Sequence, residues 1–447
     1  MTRRLLLLLC LFAAPLQAHF ATRIHFVPNV VRHEQTTAVK VVLGTDGTAA
    51  KLLIECISGA KIAMTPTGNG VFVADVPAKD ILFGYVPSGA NVTMFGKAYR
   101  LDAAGSKTDD PPLNMVINVF DQNVPIVPIA DLTGRQRVTS RVVNIAVGAY
   151  SKLPPANNVT NRFYFHFGGD FYDFLNVVHS APSFPVNRHH ENARSDVQGI
   201  GIPVVNVTES YGSAGKLLGV NVFPLVTLFD GGETAAVHEL GHQWINHLKG
   251  VAGSPHWPLS TMARGVMGFS LGDSLQGGTF PWSFVQTATG WKFKGAAATG
   301  EFSDLDLYVM GMLPPEQVGT NLVLAVQNQT PCNDCPIAGA VVPLTVADVI
   351  KANGPRIPAA AAAQKSFRVG TVVLSADPLS DEELWVLDYF AARGAASAPV
   401  TTGPFKAMSK PFAVATKGLG KLNMALVWPS KFPMISTTSP ATLPASG

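Results

Sequence analysis

Short apolar runs separated by turn sequences fill the chain from residue 19 to about residue 135. The runs are rich in Val, Ile and Phe, a composition that is typical of β-strands. They are Ala38–Leu43, Lys51–Cys56, Gly70–Val76, Asn91–Phe95 and Leu113–Phe120. Turn sequences such as Thr-Asp-Gly at 45–47 and Gly-Asn-Gly at 68–70 lie between them. Because no convincing helix interrupts the series, the pattern predicts an immunoglobulin-like β-sandwich over residues 19–135.

From about residue 140 the pattern mixes strands with helices. Arg141–Val147 and Arg162–Phe167 are typical of buried or half-buried strands, whereas Glu233–Lys249 is predicted to be a helix that stops at Gly250. Residues 250–300 are rich in glycine and lack a period, which predicts long loops. This mixture indicates an α+β fold for residues 140–395.

A further helix is predicted near the end of that region. Ser380 and Glu383 form a capping box, and apolar residues follow at helical spacing as far as Gly394. Residues 396–447 are expected to be a C-terminal extension. The extension turns rich in Ser, Thr and Pro from about residue 430 and is expected to fray there.

The first 18 residues have the layout of a secretory signal peptide. Arg3 and Arg4 precede the apolar run Leu5–Ala14, and the small residue Ala18 closes a cleavage sequence. The sequence therefore predicts cleavage after Ala18 and a secreted, periplasmic or cell-surface protein.

Composition excludes several classes of protein. Only 14% of the 447 residues are charged and 47% are hydrophobic, so the chain can bury a large core and is not disordered throughout. Without the first 18 residues, 31 basic residues face 30 acidic ones, a balance that gives no reason to expect a nucleic acid partner. No later stretch has 18 uninterrupted apolar residues, so we expect no stable membrane insertion.

Three cysteines remain after removal of the predicted signal peptide. Cys332 and Cys335 lie three residues apart in a polar turn, and in an oxidising compartment this spacing favours a local disulfide. Cys56 lies in an apolar run and is expected to be a buried thiol.

The segment 238–242, His-Glu-Leu-Gly-His, carries the strongest chemical signal in the sequence. Residues four apart on a helix differ by about 40° around its axis, so His238 and His242 face the same way. Two imidazoles on one face provide two zinc ligands. Glu239 lies beside that face and can accept a proton from a water that the metal activates.

Together with Gln243 and Trp244, this segment resembles the active-site helix of the zincin metallopeptidases. The resemblance implies a mixed sheet with the helix beneath it, bound Zn²⁺ and hydrolysis of a protein or peptide substrate. It also implies that His238 and His242 are metal ligands and that Glu239 is the general base.

The sequence departs from two branches of the zincins. Three and six residues after the second histidine, where metzincins have a glycine and a histidine, the chain has Ile245 and Leu248. No Asp or Glu occurs between His242 and Asp273, the region in which gluzincins place a ligand glutamate.

A looser resemblance covers roughly residues 140–395. The chain is similar there to a group of exported bacterial HExxH proteins without an assigned substrate. The segments that carry this resemblance are Tyr211–Gly215, 238–242, 256–257 and Ser303–Gly311. The resemblance supports treating the region as one domain.

A catalytic zinc ion ordinarily has three protein ligands, so a third must come from outside the helix. We assign it to His256, because glycine and proline at 250–255 allow the chain to turn back and His256 is the first ligand-type residue after that turn. His247 is about 180° around the helix from His238 and faces away. Asp306 and Glu301, reached through a longer loop, are the alternatives.

Other polar residues have weaker signals. Asp304, Asp306 and Tyr308 are expected to form either a buried network or part of the metal site, with Tyr308 as a donor to the developing oxyanion. His189 and His190 lie in a polar stretch that favours a surface loop, with a role in a substrate cleft as the alternative.

Taken together, the sequence predicts a secreted zinc metallopeptidase with an N-terminal β-sandwich. One alternative is a non-enzymatic surface or adhesion protein with a structural zinc site. Another is a zinc hydrolase that cleaves a different amide bond, such as one in the cell wall. An intact Glu239 favours an enzyme, because a structural site does not use a base.

Overall fold

The computed structural model describes residues 20–85, 92–120, 124–148, 153–167, 169–180, 188–230, 232–245, 247–251, 255–269, 280–401, 409–427 and 441–442. About 20% helix and 34% strand, arranged in several sheets, confirm a mixed α+β class. The predicted signal peptide lies outside the described residues, as does nearly all of the segment from about residue 430 that is expected to fray.

The N-terminal part of the chain is built from strands. They are β1 (Ala21–Val27), β2 (Val30–Arg32), β3 (Val39–Thr45), β4 (Lys51–Cys56), β5 (Lys61–Ala63), β6 (Thr65–Gly68), β7 (Val71–Val76), β8 (Val92–Leu101) and β9 (Leu113–Phe120), with the short helix α1 (Ala78–Ile81) between β7 and β8. One sheet has the order β1-β3-β7-β6, and a second has the order β2-β9-β8-β4-β5. All five strands predicted in this part of the chain are confirmed, two of them with the predicted bounds.

These two sheets share one core. Buried side chains of both sheets form a single apolar cluster, in which the rings of Phe26 on β1 and Phe95 on β8 meet edge to face at 6.1 Å. Cys56 is buried in the same cluster as a free thiol, as predicted, and burial raises the pKa of this thiol to about 11.

The second part of the chain is organised around an eight-stranded sheet. The strands that follow β9 are β10 (Pro125–Ile126), β11 (Ala130–Asp131), β12 (Gln136–Val138), β13 (Val142–Ala146), β14 (Phe174–His179), β15 (His189–Asn192), β16 (Arg194–Ser195), β17 (Val205–Asn206), β18 (Gly219–Pro224), β19 (Trp282–Thr287), β20 (Gly290–Gly295), β21 (Asn321–Leu324), β22 (Val341–Leu344), β23 (Ser366–Ser375), β24 (Lys421–Asn423) and β25 (Ala441–Thr442). The sheet has the order β11-β12-β13-β23-β14-β18-β15, with β24 paired to β23. Strands β13, β23, β14 and β18 are parallel, and β15 is an antiparallel edge strand.

Helices cover both faces of this sheet. They are α2 (Ala156–Phe167), α3 (Leu225–Leu228), α4 (Thr234–Gly241), α5 (Asp304–Met310), α6 (Val346–Asn353), α7 (Asp381–Gly394) and α8 (Phe412–Ala415), and 3₁₀ turns occur at Thr208–Tyr211, Met262–Arg264 and Pro315–Gln317. Phe174 and Val178 of β14 pack on the face that holds α4 and α7, whereas Leu175 and Val177 pack on the opposite face with α2. Burial on both faces explains why the central strands are continuously apolar.

Two sequence predictions in this part of the chain are wrong. Arg162–Phe167, predicted as a strand, is the second half of α2, where Phe163 and Phe167 are buried four residues apart and Phe165 is exposed. The region 250–300, predicted as loops, contains the hairpin β19–β20. A hydrogen bond from Phe293 N on this hairpin to Cys335 O, which lies outside the region, supports it. A short aromatic run does not by itself distinguish a strand from a buried helix face.

The helix predicted at Glu233–Lys249 is shorter than expected. Helix α4 ends at Gly241, and the backbone continues in tight turns in which His242 N donates to Glu239 O and Gln243 N donates to Leu240 O. The predicted capping box of the later helix is confirmed, because Ser380 caps α7 together with Glu383 and the helix ends at Gly394.

Contacts between the two parts of the chain help to place α4. The Asn118 amide of β9 donates to Leu225 O, at the start of α3, and Glu383 of α7 accepts the backbone N–H of Asn29 at 2.6 Å. Beyond α7, α8 adds Phe412 to the core and β24 extends the sheet. Among the described residues there is no helix with the length and apolar character needed to cross a membrane.

Candidate metal centre

Helix α4 and the residue that follows it bring the two histidines of the His-Glu-Leu-Gly-His segment to one side. The helix begins beside Glu233, whose carboxylate forms a fully buried ion pair with Arg393 of α7. Val237 and Leu240 bury the other side of α4 against the core. The ion pair fixes the start of the helix and the core fixes its apolar face. His238 therefore points away from the ion pair and from the core.

Gly241 allows the chain after α4 to pack closely against this helix. A Cβ at this position would lie 2.7 Å from the Met267 sulfur and 3.0 Å from the ring of Phe302. The close approach brings the carbonyl oxygen of Val266 to 2.8 Å from His238 Nδ1. Because a carbonyl only accepts, Nδ1 carries the proton and His238 presents the lone pair of Nε2.

Three imidazoles converge at this point, and the third belongs to His256. His238 Nε2 lies 3.1 Å from His256 Nε2 and 3.2 Å from His242 Nε2. The three side chains form a group that could hold a metal ion, with all ligand atoms within 4.8 Å of one another. Nitrogens about 2.0–2.1 Å from a tetrahedral metal ion lie about 3.3 Å apart, so the two separations from His238 Nε2 fit such an ion.

Burial favours the neutral form of these histidines, which is the form that binds metal. Burial lowers the pKa of His238 to about 3 and that of His256 to about 4, and it lowers the pKa of His242 well below the ordinary value. All three imidazoles are therefore neutral at pH 7, and each can offer a lone pair without first losing a proton.

Glu239 lies next to His238 on α4 and is buried. Its Oε1 accepts a hydrogen bond of 2.9 Å from Arg188 Nε, and Arg188 also pairs with Asp230. Burial raises the pKa of Glu239 to about 7, and the nearby guanidinium acts in the opposite direction. Glu239 is thus a carboxyl group that can take up and release a proton near neutral pH.

The position of His256 depends on its neighbour Trp257. The indole Nε1 of Trp257 donates to Asp306 Oδ1 at 2.7 Å, and both side chains are fully buried. Asp306 also accepts the backbone N–H of Ser303, at the start of α5. Asp306, one alternative third ligand, thus supports the loop that carries His256 and lies outside the group of three histidines.

The remaining residues singled out in the sequence lie elsewhere. Glu301 is not part of the histidine group, although its backbone oxygen accepts the Val266 N–H in the loop beside His238. The Tyr308 hydroxyl accepts the backbone N–H of Arg356 at 3.2 Å, and its role as a donor to an oxyanion stays a prediction. His247 is exposed and outside the group, as expected.

His189 and His190 form the start of the edge strand β15, so the surface loop predicted for them is wrong. The Gln243 amide donates to the backbone of Arg194, which turns its oxygen towards His190 Nε2 at 3.0 Å. The contact between His190 and Gln243 therefore ties the edge strand to the residue after His242.

Arg188 is the residue of this site that sequence reasoning missed. It directly precedes His189, and its partner Glu239 lies 51 residues away in the chain. Nothing in the local pattern indicates that pairing. The antiparallel pairing of β15 with β18 puts His189 opposite Val222, and Arg188 directly precedes this strand.

The local disulfide predicted between Cys332 and Cys335 is confirmed, with the two Cα atoms 5.4 Å apart. It closes the turn that packs on the hairpin β19–β20, where Phe293 N donates to Cys335 O. Neither cysteine belongs to the histidine group.

Comparison with known proteins gives no independent assignment. The chain matches no family model, no curated protein and no solved structure.

Proposed function

We propose that this protein is a secreted zinc-dependent metallopeptidase. The observation that carries the proposal is the convergence of His238, His242 and His256 beside the buried carboxyl of Glu239. Three neutral imidazoles, with His238 Nε2 just over 3 Å from a nitrogen of each of the other two and all ligand atoms within 4.8 Å, suit a zinc ion held by three protein ligands. A carboxyl group next to such an ion is of no use to a structural site and supports hydrolysis.

Each residue of the site has a separate role in the proposed reaction. His238, His242 and His256 would hold the ion, and Val266 and the Trp257–Asp306 pair would keep two of the imidazoles in place. When bound, zinc supplies a Lewis acid for the scissile carbonyl and activates water for attack on it. Glu239 would accept a proton at its carboxylate during attack and pass it to the departing amine.

Export and fold class belong to the same proposal. The Cys332–Cys335 disulfide supports an oxidising compartment, which agrees with the signal peptide expected at 1–18. A mixed sheet with the histidine helix packed on one face supports a zincin-like second domain. Two sheets around one core support an immunoglobulin-like first domain.

The central experiment is the substitution Glu239→Gln. The amide keeps the shape of the side chain but cannot accept the proton, so we expect one bound zinc ion per chain and at least about 10²–10⁴-fold slower hydrolysis. Glu301→Gln is the matched control, because Glu301 lies outside the histidine group, and we expect this variant to keep both zinc and activity. Undiminished turnover by the Glu239→Gln variant would refute the proposed mechanism.

The choice of substrate separates the proposal from its alternatives. Zinc-loaded protein is assayed on denatured casein and on peptidoglycan, with the Glu239→Gln variant beside it. Cleavage of casein supports a peptidase, and cleavage of peptidoglycan alone indicates a hydrolase of cell-wall amides. Bound zinc with no hydrolysis of either substrate indicates a structural site.

The ligand set is tested by zinc stoichiometry of folded variants. We expect His256→Ala to lower zinc affinity by more than about 100-fold, because even contacts behind a ligand contribute 10–100-fold. If His256→Ala keeps full affinity while Asp306→Ala loses zinc altogether, the aspartate is the ligand and the assignment of His256 is wrong.

A further inference from the structure

The guanidinium of Arg188 lies between two carboxylates of different exposure. Its Nε donates to Glu239 Oε1 and its Nη1 donates to Asp230 Oδ2, each at 2.9 Å. The Glu239 side chain is 5% exposed, whereas those of Arg188 and Asp230 are 30% and 44% exposed. The arrangement is a chain of three charged groups that runs from solvent to the buried helix α4.

Each member of this chain comes from a different element. Arg188 directly precedes the edge strand β15, Asp230 follows α3, and Glu239 is on α4. The start of β15 is fixed by its pairing with β18, in which His189 lies opposite Val222. The guanidinium is therefore held from the sheet, while the carboxylate that it contacts belongs to the helix.

The geometry uses a property that arginine has and lysine lacks. The N–H groups of a guanidinium lie in one plane at fixed angles, so two of them can bind two acceptors in a defined orientation. The terminal torsion of a glutamate side chain is otherwise broad. Among the residues that the structure describes, only Arg188 donates to the Glu239 carboxylate, and it does so at Oε1.

We propose that Arg188, held by Asp230, is a positioning residue for the general base: it fixes the Glu239 carboxylate through Oε1 and leaves Oε2 facing the reaction. This inference rests on the proposed peptidase function. Arg188 touches neither the substrate nor the reacting atoms in this role. Its contribution is to keep the base in the one orientation from which proton transfer is direct.

The first experiment compares Arg188→Met and Arg188→Lys with the wild-type protein loaded with zinc. A misplaced catalytic group costs about 10²-fold in rate, so we expect Arg188→Met to lower kcat by about 10–100-fold. KM should change by less than about twofold, and zinc stoichiometry should stay at one. Arg188→Lys keeps the charge but not the planar fork, and we expect it to lower kcat by a similar factor.

Three further variants sharpen the result. Added guanidinium ion should restore part of kcat to Arg188→Ala, an effect that a merely structural role would not produce. Asp230→Asn should lower kcat less than Arg188→Met does, because Arg188 keeps its bond to Glu239. Arg100→Met removes a comparably exposed arginine from a remote ion pair and should leave kcat unchanged.

A measurement that needs no activity tests the same contact. In metal-free protein, Arg188→Met, Glu239→Gln and the double variant form a thermodynamic cycle for unfolding. We expect the two substitutions to couple by about tenfold in the unfolding equilibrium constant. Additive effects would overturn the inference, and so would an unchanged kcat in Arg188→Met. If the wild-type protein hydrolyses nothing, the proposed function fails and the cycle alone decides whether Arg188 fixes Glu239.

Discussion

Replacing Trp257 with Phe tests whether the third histidine is held in place by the core behind it. The indole N–H of Trp257 donates to Asp306 at 2.7 Å in a fully buried contact, and Trp257 directly follows His256. Phenylalanine keeps much of the aromatic volume and removes only the donor. The carboxylate then loses a hydrogen bond in a place that water does not reach.

Two effects of known size follow. Burial raises the pKa of Asp306 to about 6, so the group is mostly ionised at pH 7. A hydrogen bond to a charged group contributes about 1.5–3 kcal/mol, and we expect the free energy of unfolding of the metal-free Trp257→Phe variant to fall by that amount. Contacts behind a metal ligand typically contribute 10–100-fold in affinity, so the zinc dissociation constant should rise at least about tenfold.

The assay measures zinc affinity by competition with a chromophoric chelator, and stability by denaturant titration of the metal-free protein. Trp385→Phe is the matched control, because its indole donates to Val127 O at 3.1 Å and takes no part in the histidine group. That variant should lose stability and keep its zinc affinity. If Trp257→Phe also keeps full zinc affinity while losing stability, Trp257 does not hold His256 and the reasoning is refuted.

Three other predictions test the surroundings of the site. The double substitution Cys332→Ser, Cys335→Ser should lower the melting temperature modestly and leave zinc stoichiometry at one; metal loss would show that the turn belongs to the site. Burial lowers the pKa of His179 to about 4, so its contribution to stability is complete above pH 6.5 and is lost as the pH falls towards 4. Between pH 7 and pH 4, the free energy of unfolding should therefore fall by up to about 3 kcal/mol less in the His179→Gln variant than in the wild-type protein. Denaturant titrations at both pH values measure this difference. A Cβ at Gly219 would lie 2.4 Å from an imidazole carbon, so Gly219→Ala should cost about 1–3 kcal/mol in the free energy of unfolding, whereas Gly295→Ala, with no atom closer than 3.5 Å, should cost little.

The sequence was informative where chemistry depends on local spacing. The four-residue spacing of His238 and His242 predicts that they face the same way, and the structure brings their Nε2 atoms to 3.2 Å even though α4 ends at Gly241. The assignment of His256 rested on elimination along a short stretch with few candidates. The bounds of β4 and β9 and the capping box of α7 were also predicted, because alternation and caps are properties of a few neighbouring residues.

Features that depend on distant partners were not predicted. Arg188 contacts Glu239 across 51 residues, and Arg188 directly precedes an edge strand whose pairing the local sequence does not reveal. Helix α4 ends at Gly241, where the chain packs closely against Met267, and no helical period reveals that end. The aromatic run at the end of α2 is equally typical of a strand, and only the tertiary structure shows that Phe163 and Phe167 are buried on one helix face.

The placement of β23 has a consequence for how this chain acquires its structure. Ser366–Ser375 lies between β13 and β14 and pairs in parallel with both, although those two strands are made some 190 residues or more earlier. Until β23 arrives, each of these mostly apolar strands keeps an unpaired edge, which is the kind of surface that promotes aggregation. Closing the sheet also requires long loops to be ordered at once, a step that slows folding. We therefore expect a chain truncated before residue 366 to be insoluble even though all three histidines are present.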